Sequence, residues 1–308
     1  MNENWTSDNI PDLSGKIIVI TGANSGIGFH AAREFARQGA EVVFACRNQT
    51  KAEGAINQIR TEFSDAQLVF IELDLANLQS VKDFADTFNS RYNRLDILLN
   101  NAGVMMVPFG KTEDGFENTL GTNYLGHFAL TGLLFDRLIS TPGARLVNIS
   151  SNAHYGGEID FGNLMFEQGE SYTPMNAYRR SKLANLLFTF ELQRRLEKRE
   201  IDVLALAAHP GISDTGLADH LFTNWFANLF RPLGVILLQS SAKGALPGIR
   251  AAVDPDAVSG QYYGPDGKKE HSGYPVVVDS SAASKDEEVA RKLWEKSEEL
   301  TGIQYFIR

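Results

Sequence analysis

The stretch Lys16-Ile17-Ile18-Val19-Ile20-Thr21-Gly22-Ala23-Asn24-Ser25-Gly26-Ile27-Gly28 decides how the rest of the chain is read. Four consecutive β-branched residues, Ile17 to Ile20, read as a strand buried on both faces. A helical pattern, Gly26–Gln38, follows almost at once. Between them lie three glycines at Gly-x3-Gly-x-Gly spacing. They let the chain turn tightly and bring main-chain N–H groups close to a pyrophosphate, which the positive end of the next helix also favours. The spacing is not the Gly-x-Gly-x-x-Gly of the common dinucleotide fingerprint, and a glycine triplet alone marks no more than a turn. A strand before it and a helix after it make it a nucleotide loop, contributed by Gly22, Asn24, Ser25, Gly26, Ile27 and Gly28.

The same rhythm continues outward. Apolar runs at Glu41–Ala45, Leu68–Leu73, Leu95–Leu99, Arg145–Ile149 and Val203–Ala208 alternate with helical patterns near Thr50–Phe63, Ser80–Tyr92, Glu117–Ile139 and Met175–Arg199. Strands this apolar, each separated by a helix, predict an α/β fold. Its parallel sheet is doubly wound by right-handed crossovers. Gln261–Tyr263 and Val276–Val278 read as edge strands, and Lys285–Leu300 as a closing amphipathic helix. No Pro/Gly/Ser-rich linker divides the chain, so residues 1–308 read as one domain.

Composition narrows the function classes. Of 308 residues, 43% are apolar and 22% charged, which excludes a disordered chain. With 29 Lys and Arg against 38 Asp and Glu the net charge is −9, and no long basic run exists, so nucleic acid is not an expected partner. Cys46 is the single cysteine, which excludes an internal disulfide. The six histidines share no ligand spacing and no metal site is expected. Met1–Asp12 does not read as a signal peptide, and no apolar run approaches the roughly 18 residues of a membrane span. The expectation is a soluble, cytoplasmic protein.

The strand ends choose the cofactor. A carboxylate after the second strand would bind the ribose hydroxyls of NAD, whereas an Arg there accommodates a 2′-phosphate. The chain reads Ala45-Cys46-Arg47-Asn48, so Arg47 argues for NADP(H) over NAD(H). The third strand runs into Leu73-Asp74-Leu75. Asp74 either accepts from the adenine amine or caps the following helix. Asn101, Ala102 and Gly103 after the fourth strand suit the adenosine side of a crevice.

Of nine tyrosines only Tyr178 has a lysine four residues on, Lys182. Residues at i, i+4 share a helix face. An ammonium near a phenol is expected to lower the phenol's pKa toward neutrality, suiting Tyr178 to proton transfer at a carbonyl oxygen. Ser150 and Ser151 end the fifth strand, where a hydroxyl can bond the same oxygen.

With these motifs in order, the chain resembles the short-chain dehydrogenase/reductases along nearly its whole length. The matching residues are Thr21–Gly28, Asp74, Asn100–Gly103, Asn123, Ser151, Tyr178-x3-Lys182 and Pro210-Gly211. The resemblance implies a Rossmann-like fold of about seven strands between helix layers. It implies a catalytic set of Asn123, Ser151, Tyr178 and Lys182. Ser151 positions the carbonyl, Tyr178 is the acid/base, Lys182 also holds the nicotinamide ribose, and Asn123 organises a proton-relay water. It further implies that Pro210, Gly211, Ile212 and Thr215 touch the nicotinamide carboxamide. Ala45–Asn48, Arg180–Asn185 and Ala208–Gly211 look most like the retinol-dehydrogenase-like and WW-domain-oxidoreductase-like branch. Ser151 and Tyr178 stand further apart than in compact members, because of the irregular segment His154–Pro174.

That segment and the aromatic Leu217–Ser240 lie past the carboxyl ends of strands, where an open sheet binds ligands. Leu217–Ser240 reads as a lid over an apolar substrate, with a membrane-surface helix, plain core or a homo-oligomer interface as the other readings. The expected activity is an NADP(H)-dependent interconversion of an apolar alcohol and its aldehyde or ketone. The alternatives are a sugar-nucleotide epimerase or dehydratase of the same fold, and an NADP(H)-binding sensor or scaffold.

Overall fold

The computed structural model describes residues 4–212 and 240–305. The strands are β1 (Ile17–Thr21), β2 (Glu41–Cys46), β3 (Leu68–Glu72), β4 (Ile97–Asn100), β5 (Ala144–Ile149), β6 (Val203–Ala208), β7 (Tyr262–Pro265) and β8 (Pro275–Val278). They form one sheet in the order β3-β2-β1-β4-β5-β6-β7-β8. All pairs are parallel except β7 with β8. The sheet thus has eight strands where about seven were expected. The extra one is an antiparallel edge strand, paired from Tyr262 opposite Val278 to Pro265 opposite Pro275.

Helices cover both faces. They are α1 (Gly26–Arg37), α2 (Gln49–Glu62), α3 (Leu78–Arg91), the helical run α4 over residues 118–139, α5 (Pro174–Lys198), α6 (Ser241–Val253) and α7 (Glu287–Thr301). Strand residues alternate between two buried layers, as a period of two requires. Ile18 and Ile20 face the layer holding Phe35, Phe44 and Ile59, whereas Val19 faces the layer holding Phe88, Phe128 and Trp294. Because neither face sees water, the strands read as unbroken apolar runs.

Two features were not anticipated. Helix α6 escaped notice because its sequence, SAKGALPGIRAAV, is small-residue-rich and carries Pro247, normally a helix breaker. Its small face is what packs: a Cβ on Gly248 would come within 3.1 Å of Ile149 Cδ1. The N-terminal segment buries Trp5, Ile10 and Leu13 against the α1 layer. The C-terminal helix α7 is the closing amphipathic helix that the sequence predicts: it buries Ala290, Leu293 and Trp294 and exposes Arg291, Lys292 and Glu295. Trp294 and Tyr305 lie 5.3 and 4.9 Å from the Phe128 ring, and the Tyr305 hydroxyl donates to the Phe128 carbonyl at 2.6 Å. Residues 217–239 of the anticipated lid fall outside the described residues; Ser240 caps α6. Among the described residues no helix is long and apolar enough to cross a membrane.

Strand order reverses at β1, which has β2 on one side and β4 on the other. The crevice at the carboxyl ends of these strands is where an open α/β sheet takes its ligand.

Candidate active site

The glycine loop turns as its spacing demands. Gly22 and Gly26 adopt φ of 69° and 55°, the left-handed region that glycine enters without steric cost. Gly28 allows no side chain. A Cβ there would sit 2.6 Å from Asn101 Nδ2 and closer still to the Gly22 carbonyl. The loop is tied to the neighbouring strand end, where Asn101 Nδ2 donates to the Thr21 carbonyl at 2.8 Å. A cavity of about 520 Å³ opens over it. It is lined by all six expected loop residues and by Arg47, Asp74, Leu75, Asn101, Ala102 and Gly103. It is also lined by Lys51 and Thr122, which sequence reading missed. Lys51 stands four residues after Arg47, in the first turn of α2, a spacing that was legible.

At the crevice mouth Arg47 is 74% exposed in its side chain and lies 3.6 Å from Asp74. Asp74 does not cap α3. Asn77 does, accepting from Gln79 N and Ser80 N, while Asp74 Oδ1 accepts from Ala76 N. Cys46 is buried, and burial pushes its thiol up to about 11, so it is an inert strand-end residue.

A second cavity, about 240 Å³, adjoins the first through the shared Asn101 and Gly103. Its walls include Met105, Ile149, Ser151, Tyr178, Lys182, Pro210, Gly211 and Ile212. Thr215 lies outside the described residues. The two serines part company here. Ser150 Oγ is buried and donates to the Lys182 carbonyl at 2.8 Å. Ser151 Oγ accepts from Ala153 N at 3.2 Å, which leaves its proton available to the cavity.

Tyr178 and Lys182 share one face of α5, with Lys182 Nζ 5.5 Å from the Tyr178 ring centroid. Nζ donates to the Ile149 carbonyl at 3.0 Å. The sequence-based expectation of a phenol lowered toward neutrality does not hold in this structure. Burial pushes the Tyr178 phenol above its ordinary value, the Ser151 hydroxyl acting the other way. Burial also lowers Lys182 to about 8. One buried site penalises both charged forms. The phenol is therefore protonated at neutral pH and ready to give its proton.

Asn123 sits in a wide turn of α4, Gly121–Leu125, where Gly126 N bonds back to Gly121 O. Its side chain pairs with the main chain of Val104, accepting at 2.7 Å and donating at 2.9 Å, and also donates to Ser181 Oγ at 3.0 Å. Asn123 is fully buried and lines neither cavity; it stands behind Gly103, which lines both. A Cβ on Gly103 would be 3.1 Å from Asn123 Oδ1 and 3.7 Å from Lys182 Nζ. His154 does not face the cavity. It is buried, sets Nδ1 2.7 Å from the Ser151 carbonyl and accepts from Ser281 N on Nε2. His209 anchors the end of β6 through Glu270 at 2.9 Å. Among the described residues no cluster can hold a metal ion.

A protonated phenol beside a nucleotide crevice suits proton transfer at an alcohol or carbonyl oxygen. Such a site is what an oxidoreductase acting on CH–OH groups needs. Residues 16–224 match the short chain dehydrogenase family, and the chain belongs to it. It is 44% identical to retinol dehydrogenase 14 of Mus musculus, over 94% of this chain and 87% of that protein. It is 41% identical to retinol dehydrogenase 13 of Homo sapiens, over 95% and 86%. A crystal structure of an uncharacterized protein from Mycobacterium Paratuberculosis superposes with TM-score 0.82 at 40% identity, covering 98% of this chain and 99% of that one.

Proposed function

We propose that the protein is an NADP(H)-dependent reductase and dehydrogenase, interconverting an apolar alcohol and its aldehyde or ketone. The names of relatives that cover nearly the whole chain, retinol dehydrogenases, support retinol and retinal as the substrate class. The observation that carries the reading is that buried Tyr178 shares a cavity with Ser151 and Lys182, and that this cavity adjoins the crevice of the glycine loop.

The residues present fit a dinucleotide. The loop is a cradle that a Cβ on Gly28 would fill, and two cations, Arg47 and Lys51, also line the cavity over it. These two would hold a 2′-phosphate, which NADP(H) has and NAD(H) lacks. When bound, the cofactor supplies or accepts a hydride at its nicotinamide ring.

The chain's own residues do the rest. The Ser151 hydroxyl donates to the carbonyl oxygen and holds it at the Tyr178 phenol. Tyr178 gives its proton to that oxygen in reduction and takes it back in oxidation. The Lys182 ammonium, next to the ring, steadies the phenolate that forms. Met105, Ile149 and Ile212 give the cavity an apolar wall and exclude water.

The test is NADPH consumption, followed optically against carbonyls of graded apolar size including retinal, with NADH in parallel. NADPH-dependent turnover that rises with apolar size is expected. Tight NADPH binding without turnover of any carbonyl would overturn the reading in favour of a sensor.

A further inference from the structure

His127 plays no part in the chemistry above, yet it is the buried titratable side chain that joins the two halves of the site. Its ring, on α4 one turn past Asn123, is 2% exposed. Nε2 lies 2.8 Å from Thr21 Oγ1, and Nδ1 lies 3.0 Å from the Asn123 carbonyl oxygen.

The direction of both bonds follows from the donor count. Thr21 Oγ1 already accepts from Asn101 N and Ala102 N, each at 2.9 Å. Both its lone pairs are taken, so its proton points at Nε2. Nε2 is then an acceptor, the ring proton is on Nδ1, and Nδ1 donates to the Asn123 carbonyl. Beyond Asn123 the path continues. Asn123 Nδ2 donates to Ser181 Oγ at 3.0 Å, and Ser181 Oγ donates to the Tyr178 carbonyl at 2.8 Å. A chain of hydrogen bonds, joined inside Asn123 by the covalent link from its carbonyl to its side-chain amide, therefore runs from the strand end under the glycine loop, through His127, to the backbone of the acid/base tyrosine.

We infer that His127 is a positioning residue: it fixes the Asn123 carbonyl and so sets the register of Tyr178 against the nucleotide crevice. The inference rests on the reductase reading of the site. Burial lowers the His127 pKa to about 4, so the neutral ring that the bonding requires is the resting state. An imidazolium would carry a proton on Nε2 facing the Thr21 hydroxyl, whose two acceptor sites are already filled.

Two substitutions separate the two bonds. His127→Asn keeps a donor where Nδ1 stands and can still bond the Asn123 carbonyl. His127→Gln keeps an acceptor where Nε2 stands and can still take the Thr21 proton. The expected result is that kcat falls about 10- to 100-fold in His127→Gln and much less in His127→Asn. NADPH affinity and the melting temperature should fall by similar small amounts in both. Equal kcat losses that track the loss of melting temperature would mean a purely structural role and overturn the inference. So would an undiminished kcat in His127→Gln. Nitrogen NMR of the His127 ring reads the tautomer without any turnover: a proton on Nδ1 supports the inference, and one on Nε2 ends it. If the wild-type protein turns over no carbonyl, the reductase reading fails on that result alone, and the NMR tautomer still judges the bonding.

Discussion

Lys182 holds its Nζ 5.5 Å from the centroid of the Tyr178 ring and spends a hydrogen bond on the carbonyl of Ile149 at the end of β5. The amine is thus locked between the strand that carries Ser151 and the helix that carries the phenol. Its burial sets the pH dependence. Lys182 is lowered to about 8, whereas Tyr178 is raised from 10. As pH rises, the ammonium loses its proton before the phenol does. The kcat/KM for NADPH, which reports the free enzyme, should be level below about pH 8 and fall above it. A profile flat to pH 10 would mean that the reaction does not use the charge on Lys182.

Tyr178→Phe keeps the ring and its packing and removes only the proton. Turnover should fall about 10²- to 10⁴-fold, the range of a lost general acid, while NADPH binds as before. Fluorescence titration of NADPH beside steady-state kinetics separates the two quantities. Substantial residual activity would take the proton-transfer role from Tyr178. A parallel loss of NADPH binding would place the residue in cofactor recognition instead.

Arg47 and Lys51 stand at the crevice mouth with no acidic residue in the first turn of α2 to compete with a phosphate. The Arg47 pair with Asp74 is exposed and long at 3.6 Å, so little is lost when the guanidinium turns to another anion. Arg47→Asp should weaken NADPH about 10- to 100-fold, the scale of one charge-assisted hydrogen bond, and shift preference toward NADH. Lys51→Ala should weaken NADPH less and leave NADH unchanged. Unaltered NADPH affinity in Arg47→Asp would show that the phosphate is not read there.

How much of this was legible in the sequence depends on how local each signal is. The parallel core was, because strands buried on both faces show as uninterrupted runs such as KIIVIT. Most of the lining of the crevice over the glycine loop was too, because those residues follow closely on strand ends, whereas Lys51 and Thr122 stand on helices. Helix α6 was not. Its packing surface is a patch of alanine and glycine, which carries little hydrophobic periodicity, and Pro247 contradicts it locally. The charge state of Tyr178 was also hidden. The i, i+4 spacing gives the attraction of Lys182 but not the desolvation of both groups, which only the packed site reveals. His127 was only half legible: Asn123 stands four residues before it on the same helix, but Thr21 on β1 meets it only in the fold.

The segment 154–174 looked unreadable because it is polar and irregular, but one side chain organises it. Arg180, buried on α5 beside Tyr178, donates from Nε to the Glu158 carbonyl at 3.1 Å and from Nη1 to the Asn163 and Leu164 carbonyls at 2.6 and 2.8 Å. Its guanidinium lies 3.9 Å over the Phe166 ring. Phe166 in turn meets Tyr172, whose hydroxyl donates to the Val107 carbonyl at 2.7 Å. The helix that carries the phenol thus holds the segment in place against the loop that carries Met105. Arg180→Ala should destabilise the fold by about 1–3 kcal/mol, since it strands several acceptors at once. It should raise KM for the carbonyl substrate several-fold while leaving KM for NADPH near its original value. Arg180→Lys should not restore it, because a point charge cannot span carbonyls that a planar fork reaches together. If both KM values rise in proportion, Arg180 supports the whole site; if only stability changes, the segment does not wall the substrate.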